Sequence, residues 1–214
     1  MSKSMISSPV IKRLPRYYRF LGELEKQGVI RISSRELSEK MGLTASQIRQ
    51  DLNCFGGFGQ QGYGYNVQEL HEAIGKIIGI ASETRTVIIG AGNLGSAIAM
   101  HIDFKKAGFS LIGIFDSDPE KTGQIIAGIP VAQMNLIESF CNENKPECAV
   151  LCIPKESAEE IVDKLIRLGI KAFWNYSHYD INVDGREGIL VQNVHLSDSL
   201  MTLSYGLHNF KKEK

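Results

Sequence analysis

No apolar run in this 214-residue sequence approaches the ~18 residues that a membrane-spanning helix needs. The N-terminal segment carries Lys3, Lys12, Arg13 and Arg16 and has no apolar signal core. Together these absences predict a cytoplasmic protein with no membrane partner. The four cysteines, Cys54, Cys141, Cys148 and Cys152, show neither C-x-x-C spacing nor paired Cys/His clusters, so no metal site is predicted and reduced structural thiols are the reading. Net charge is lacking too, with 24 Lys and Arg against 24 Asp and Glu. That balance hides two unlike halves. Residues 1–66 hold ten basic against five acidic side chains, +5, whereas residues 67–214 hold fourteen against nineteen, −5. A basic segment joined to an acidic one points to a polyanion as partner of the first, because phosphate contacts dominate nucleic-acid affinity.

What is present is an ordinary globular composition, 43% hydrophobic and 22% charged, in a chain long enough for one large or two small domains. Its organising stretch is Val87 to Ile98. The β-branched run Thr86 to Ile89 leads into glycines at 90, 92 and 95, then into helix-compatible Ala97, Ile98 and Ala99. In that strand–turn–helix context G-x-G-x-x-G reads as a dinucleotide cradle. The first glycine permits the turn, the second lets backbone approach a pyrophosphate, and the third lets helix and strand pack closely. Gly90, Ala91, Gly92, Asn93, Leu94 and Gly95 are the expected phosphate-binding backbone. A second apolar run, Phe109 to Phe115, ends in Asp116, 26 positions after Gly90 and near the ~20 expected for a ribose-binding acid. No arginine follows in Ser117-Asp118-Pro119, which favours NADH/NAD+ over the 2′-phosphorylated cofactor.

Strands at 86–90, 109–116, 148–152, 171–174 and 189–191 alternate with helices at 93–107, 134–142 and 158–168, the segment between 116 and 134 reading as a loop. This is an α/β pattern, a Rossmann-like doubly wound parallel sheet. Ile153 and Pro154 end one strand and are expected on the nicotinamide side. Asn175, Tyr176, Ser177 and His178 end the next, without the paired base and substrate anchor that a catalytic site requires. A C-terminal helix carries Leu196, Leu200, Leu203, Leu207 and Phe210 at spacings of four, three, four and three, a stripe to be covered either by its own fold or by a second copy in a symmetric dimer.

In the basic half, a helix starting at Pro9 and stopping at Gly28 repeats Arg13, Arg16 and Arg19 on one flank, a candidate phosphate contact. Two capping boxes follow, Ser33 with Glu36 and Thr44 with Gln47, separated by Met41-Gly42-Leu43. Two short capped helices about a glycine turn make a helix-turn-helix. With Ile48, Leu52 and Phe55 inward, the second helix presents Ala45, Ser46, Gln47, Arg49, Gln50 and Asn53, groups suited to base edges. Phe55 to Tyr65 interleaves glycines and aromatics and reads as a wing, with Gln60 and Gln61 at its centre. Another capped helix begins at Asn66. The boundaries expected are 1–82 for a winged-helix domain with linker helix, 83–193 for the nucleotide domain, and 194–214 for a dimerisation helix.

The segments Leu14 to Tyr18, Ser33 to Leu37, Ser46 to Leu52, Phe55 to Tyr65 and Gly90 to Gly95, in this order, make the chain resemble the Rex family of bacterial redox-sensing transcriptional repressors. The resemblance implies a homodimer with a domain-swapped C-terminal helix, binding to palindromic double-stranded operators, and release when NADH binds. It implies repressed genes that serve NADH reoxidation or fermentation. The DNA contacts expected are Arg13, Arg16, Ser33, Ser34, Ser46, Gln47, Arg49, Gln50, Asn53, Gln60, Gln61 and Tyr63. Two positions depart from the family pattern: His195 and Leu196 stand where an Asp-Phe pair near the partner's nicotinamide is usual, and Ser177-His178 where proline is common. His195, when protonated, is expected to repel NAD+. A small NAD-dependent oxidoreductase is the alternative from another class, disfavoured because one helix after the nucleotide fold leaves no substrate domain. A CoA- or nucleotide-binding interaction module is a third, disfavoured by Asp116, which suits a free ribose diol.

Overall fold

The computed structural model describes residues 6–56, 59–60, 63–183 and 187–212. The chain divides into two units, Met1–Ala81 and Ser82–Lys214. The first contains α1 (Ser8–Lys26), β1 (Arg31–Ile32), α2 (Ser34–Met41), α3 (Ala45–Asn53), β2 (Gly59–Gln60), β3 (Gly64–Asn66) and α4 (Val67–Ile77). On α1, Val10, Leu14, Tyr17, Leu21 and Leu24 alternate four- and three-residue steps and so form one buried stripe. Leu14 to Leu24 of that stripe pack with Leu37 and Met41 of α2, Ile48 and Leu52 of α3, and Leu70 and Ile74 of α4. Three short antiparallel strands, in the order β1-β3-β2, complete a winged helix-turn-helix.

Local chemistry sets the ends of these helices. Ser33 Oγ accepts from the Glu36 N–H while the Glu36 carboxylate accepts from the Ser33 N–H, a complete capping box. Gly42, at φ 62, closes α2 in the left-handed conformation. Thr44 caps α3 by accepting from the Gln47 N–H at 3.1 Å. The second capping box is only half formed, because the Gln47 side-chain amide donates to Asp51 instead of completing the reciprocal cap. Asn66 caps α4 as expected. The two-residue β1 was not anticipated; its pairing with β3 is a tertiary contact that no local pattern announces.

The second unit holds β4 (Thr84–Ile89), α5 (Asn93–His101), β5 (Phe109–Asp116), β6 (Ile125–Ile126), β7 (Ile129–Gln133), α6 (Ile137–Asn144), β8 (Cys148–Leu151), α7 (Lys155–Arg167), β9 (Ala172–Asn175), β10 (Leu190–Asn193) and α8 (Leu196–Lys212). The sheet order is β10-β9-β8-β4-β5-β7-β6, parallel throughout except for β6 against β7. Val87 and Ile89 pack with Ile137, Cys141, Val162 and Leu165 of α6 and α7 on one face. Ile88 packs with Ile98 and Ala99 of α5 on the other. Burial on both faces is why β4 reads as an unbroken apolar run. The connections diverge at β4, leading to β5 on one side and β8 on the other, which is where a doubly wound sheet opens its ligand crevice.

Two differences from the sequence reading stand out. The helix expected over 93–107 ends at His101, because Asp103 Oδ1 caps the Lys106 N–H and starts a separate tight turn over Lys105–Ala107. The loop expected between 116 and 134 contains the β6–β7 hairpin. α8 leaves Leu196, Leu200, Leu203, Leu207 and Phe210 exposed, so its stripe is uncovered within the chain. No helix among the described residues is long and apolar enough to cross a membrane.

Candidate functional site

β4 delivers the chain to Gly90 at φ 98, a conformation that disfavours any residue with a Cβ. A Cβ at Gly90 would also lie 2.4 Å from the Cys152 carbonyl oxygen, and one at Gly95 only 1.9 Å from the Gly90 oxygen. The protein's own packing thus dictates the first and third glycines. A Cβ at Gly92 would meet nothing within 4 Å, so this glycine keeps open space. That space belongs to a crevice of about 530 Å³ lined by Gly90, Gly92, Asp116, Lys121, Met134, Cys152, Ile153 and Pro154, among others. α5 begins at Asn93, at the crevice rim, where the unpaired N–H groups and dipole of a first turn favour an anion.

Asp116 ends β5 nearly buried. Its Oδ2 accepts from the Ala91 N–H at 2.6 Å and from Lys121 Nζ at 3.1 Å, while its Oδ1 accepts from the Asp118 N–H at 2.9 Å. Burial pushes this carboxyl up, but the Asp118 and Ala91 N–H groups and the Lys121 ammonium outweigh it and hold it below the usual carboxylate range. The result is a fixed carboxylate at the strand end, the chemistry that a ribose diol requires. The residues present therefore fit a dinucleotide. Lys121 was not foreseen. It places a cation five residues after Asp116, paired with its carboxylate at 3.1 Å.

Ile153 and Pro154 join this crevice, as expected. Cys152 lines it as well, but burial pushes its thiol up to about 12 and that of Cys148 to about 11, so neither is a thiolate at neutral pH. All four cysteines are free. His195 is not among the crevice-lining residues. It follows β10, and β9 and β8 intervene between β10 and β4, roughly 14 Å at ~4.8 Å per strand. Its Nε2 lies 2.8 Å from Asp180 Oδ1, and its ring stacks on His178 with centroids 6.2 Å apart. Asn175 and Ser177 are spent internally. The Asn175 amide donates to the Tyr179 carbonyl and Asn193 Oδ1, and accepts from both the N–H and the hydroxyl of Ser177. Among the described residues no cluster of His, Cys, Asp and Glu could hold a metal.

In the first unit Ser46, Arg49, Gln50 and Asn53 are exposed on α3 and Gln47 is half-buried. An Arg49 guanidinium N–H donates to Ser34 Oγ at 3.0 Å, joining two expected DNA contacts. Arg16 donates to the Met41 carbonyl at the end of α2 and lies over the Phe20 ring at 5.8 Å. Tyr63 is exposed, with the Arg31 guanidinium 6.0 Å from its ring centre. Of the wing glutamines, Gln61 lies outside the described residues and only the backbone of Gln60 is described. Arg13, expected on a phosphate flank, instead forms a bidentate pair with Asp51, Nε to Oδ2 at 2.6 Å and a terminal nitrogen to Oδ1 at 2.7 Å. The Tyr17 hydroxyl and the Gln47 amide donate to the same carboxylate at 2.9 and 2.8 Å. Sequence reasoning missed Asp51. The available signal was an acid at the flank of the inward face of an otherwise uncharged or basic reading helix.

Comparison with known proteins places both units. Residues 5–53 match the family described as "Putative DNA-binding protein N-terminus" and residues 81–179 the CoA binding domain. The chain is 55% identical over 215 residues to the redox-sensing transcriptional repressor Rex of Thermoanaerobacter sp. (strain X514), covering 99% of this chain and 95% of that protein. Against the protein of the same name from Clostridium perfringens (strain SM101 / Type A), identity is 51% over 207 residues, 97% of each. Among solved structures, RSP in complex with beta-NAD+ and operator DNA superposes with a TM-score of 0.89 at 54% identity, covering 98% of this chain and 97% of that one. RSP in complex with beta-NADH superposes with a TM-score of 0.88 at 51% identity, covering 99% and 100%.

Proposed function

Since the chain belongs to the Rex family of redox-sensing transcriptional repressors, we propose that the Gly90 crevice is its NADH and NAD+ site and that α3 with the β2–β3 hairpin is its operator reader. The relatives are repressors by name and not enzymes. One observation carries the crevice assignment: Gly92 is left open beside a fixed, ionised Asp116, while the neighbouring glycines are closed by the protein itself.

A bound dinucleotide supplies a signal through its occupancy, with no bond made or broken. Backbone N–H groups from Gly92 to Gly95 would hold the pyrophosphate, those expected of Gly90 and Ala91 being donated instead to the Phe115 carbonyl and to Asp116, and Asp116 would accept from the ribose hydroxyls. Ile153 and Pro154 form an apolar wall that takes the neutral reduced ring without the desolvation cost of the cationic oxidised one. His195 adds repulsion against NAD+ when protonated, tempered by Asp180 at 2.8 Å. Its distance from the crevice of its own chain favours action on the site of a second copy.

On the DNA side, Ser46, Gln47, Arg49, Gln50 and Asn53 read base edges, while Arg16, Ser33, Ser34, Tyr63 and the wing glutamines position the backbone. Two copies joined through the uncovered α8 stripes read the half-sites of a palindrome from the cytoplasm. Release follows from NADH binding the DNA-incompetent arrangement more tightly, and a shift from 1:99 to 99:1 requires about 5.5 kcal/mol of that preference.

The test is Asp116→Ala, followed by two titrations. NADH affinity by calorimetry should fall while affinity for a palindromic duplex, selected by the wild-type protein from random DNA, stays unchanged. Undiminished NADH affinity contradicts the assignment of the crevice.

A further inference from the structure

The side chain of Asp51 is fully buried on the helix assigned to reading bases, yet it cannot touch DNA itself. Four donor bonds converge on its two oxygens: two from Arg13, one from Tyr17 and one from Gln47. Arg13 and Tyr17 lie on α1, Gln47 one turn before Asp51 on α3, so the carboxylate ties the reading helix to the helix behind it. We infer that Asp51 is a positioning residue for sequence recognition, which orients the Gln47 amide and fixes the hydrogen-bonding edge that Gln47 presents to a base. The inference rests on the assignment of α3 as the reader.

The chemistry is one of donors and acceptors. A glutamine amide carries an acceptor oxygen and a donor nitrogen at its tip, and rotation by 180° about its last bond exchanges them. Before a base edge the two orientations are opposite letters, since the bidentate match to adenine needs donor and acceptor in a set order. A carboxylate is acceptor-only, so only the amide nitrogen satisfies it. Burial pushes the Asp51 carboxyl up, but hydrogen bonds from Arg13, Gln47 and Tyr17 outweigh this and keep it ionised at neutral pH. The nitrogen faces Asp51, and the carbonyl oxygen is held away from it. Gln47 is therefore committed to one orientation before DNA arrives, which lowers the ordering cost of the contact. This commitment also explains the half-formed capping box at Thr44: the amide that would have closed it is engaged one turn further on.

The probe for the test is the selected palindromic duplex beside a random-sequence duplex of equal length, at one fixed salt concentration. Asp51→Asn is nearly isosteric but brings an NH2 into a site built from donors, so Arg13 together with either Tyr17 or Gln47 meets a donor where it had an acceptor. Affinity for the selected duplex should fall about tenfold or more, and affinity for the random duplex by less than twofold. In a Gln47→Ala background Asp51→Asn should leave the ratio of the two affinities unchanged, because its effect passes through Gln47. A purely structural Asp51 would lower both affinities together through the folded fraction. Equal losses on both duplexes, an unchanged ratio in folded Asp51→Asn, or a full additional loss in the Gln47→Ala background each overturn the inference. Should Asp51→Asn fail to fold, Asp51→Leu combined with Arg13→Met removes the acceptor and its ion-pair partner together, and a ratio that does not fall by a few-fold overturns it equally. If the wild-type protein shows no preference between duplexes, the reader assignment itself fails; if it shows one that Gln47→Ala does not alter, only the positioning role fails.

Discussion

At the residue scale the crevice is set by three glycines and one fixed carboxylate. Gly90, Gly92 and Gly95 announce themselves because backbone geometry and close approach restrict residue type at a fixed spacing. The structure gives Gly90 and Gly95 a physical reason, the sharper being Gly95, where a Cβ would stand 1.9 Å from a backbone oxygen. Gly95→Ala should therefore push α5 off β4, lower the melting midpoint and weaken NADH binding at least tenfold, while operator affinity in folded protein stays within about twofold. Thermal melts and a NADH titration check this. Asp116 was found by its distance from the glycines, whereas Asp51 was not, because its partners on α1 lie 34 and 38 positions away and no local pattern links them. Both acids sit below the ordinary carboxylate value of about 3.9 in the folded chain. Their hydrogen bonds therefore add stability above that value, and the contribution is lost as pH falls through and below it. Melting midpoints should fall between about pH 5 and pH 3. Asp51→Asn should flatten that profile for the Met1–Ala81 unit, and an equally steep decline would show that Asp51 does not couple to folding.

At the scale of elements, helix ends were read well and short strands poorly. Caps are local chemistry. Ser33, Thr44 and Asn66 each accept from the N–H three residues on, as their spacing implied. Ser33→Ala should cost about 1 kcal/mol, which in a domain of this size lowers the melting midpoint by several degrees, ~4–8 °C per kcal/mol. A melt unchanged within 1 °C would contradict the capping role. The β6–β7 hairpin was hidden for the opposite reason. Its turn holds Ala127 at φ 51, where sequence patterns lead one to expect Asn, Asp or Gly, and Pro130 interrupts the apolar run of β7. The two-residue strands of the wing are too short to show a period at all.

At the scale of the whole molecule, the charge division and the C-terminal stripe carried most of what the sequence could say. The basic N-terminal half coincides closely with the first unit, and the stripe on α8 remains uncovered in a single chain. The five large apolar side chains that α8 exposes on one face are what the proposed second copy would cover. Leu200→Glu combined with Leu207→Glu should convert a dimer to a monomer in sedimentation velocity and weaken operator binding by an order of magnitude or more, since each half-site is then held alone. A double variant that still sediments as the wild type does would remove α8 from the interface. How far two sites in different units influence each other is a thermodynamic quantity, equal in both directions, and no pattern along the chain encodes its size.

Whether dinucleotide occupancy governs DNA binding is read by titrating the selected palindromic duplex in the absence of cofactor, with saturating NAD+ and with saturating NADH. Operator affinity should be at least tenfold weaker with NADH than with NAD+, and operator should weaken NADH binding by the factor that separates the cofactor-free from the NADH-saturated operator affinity. Operator affinity that is identical in all three conditions would contradict this coupling.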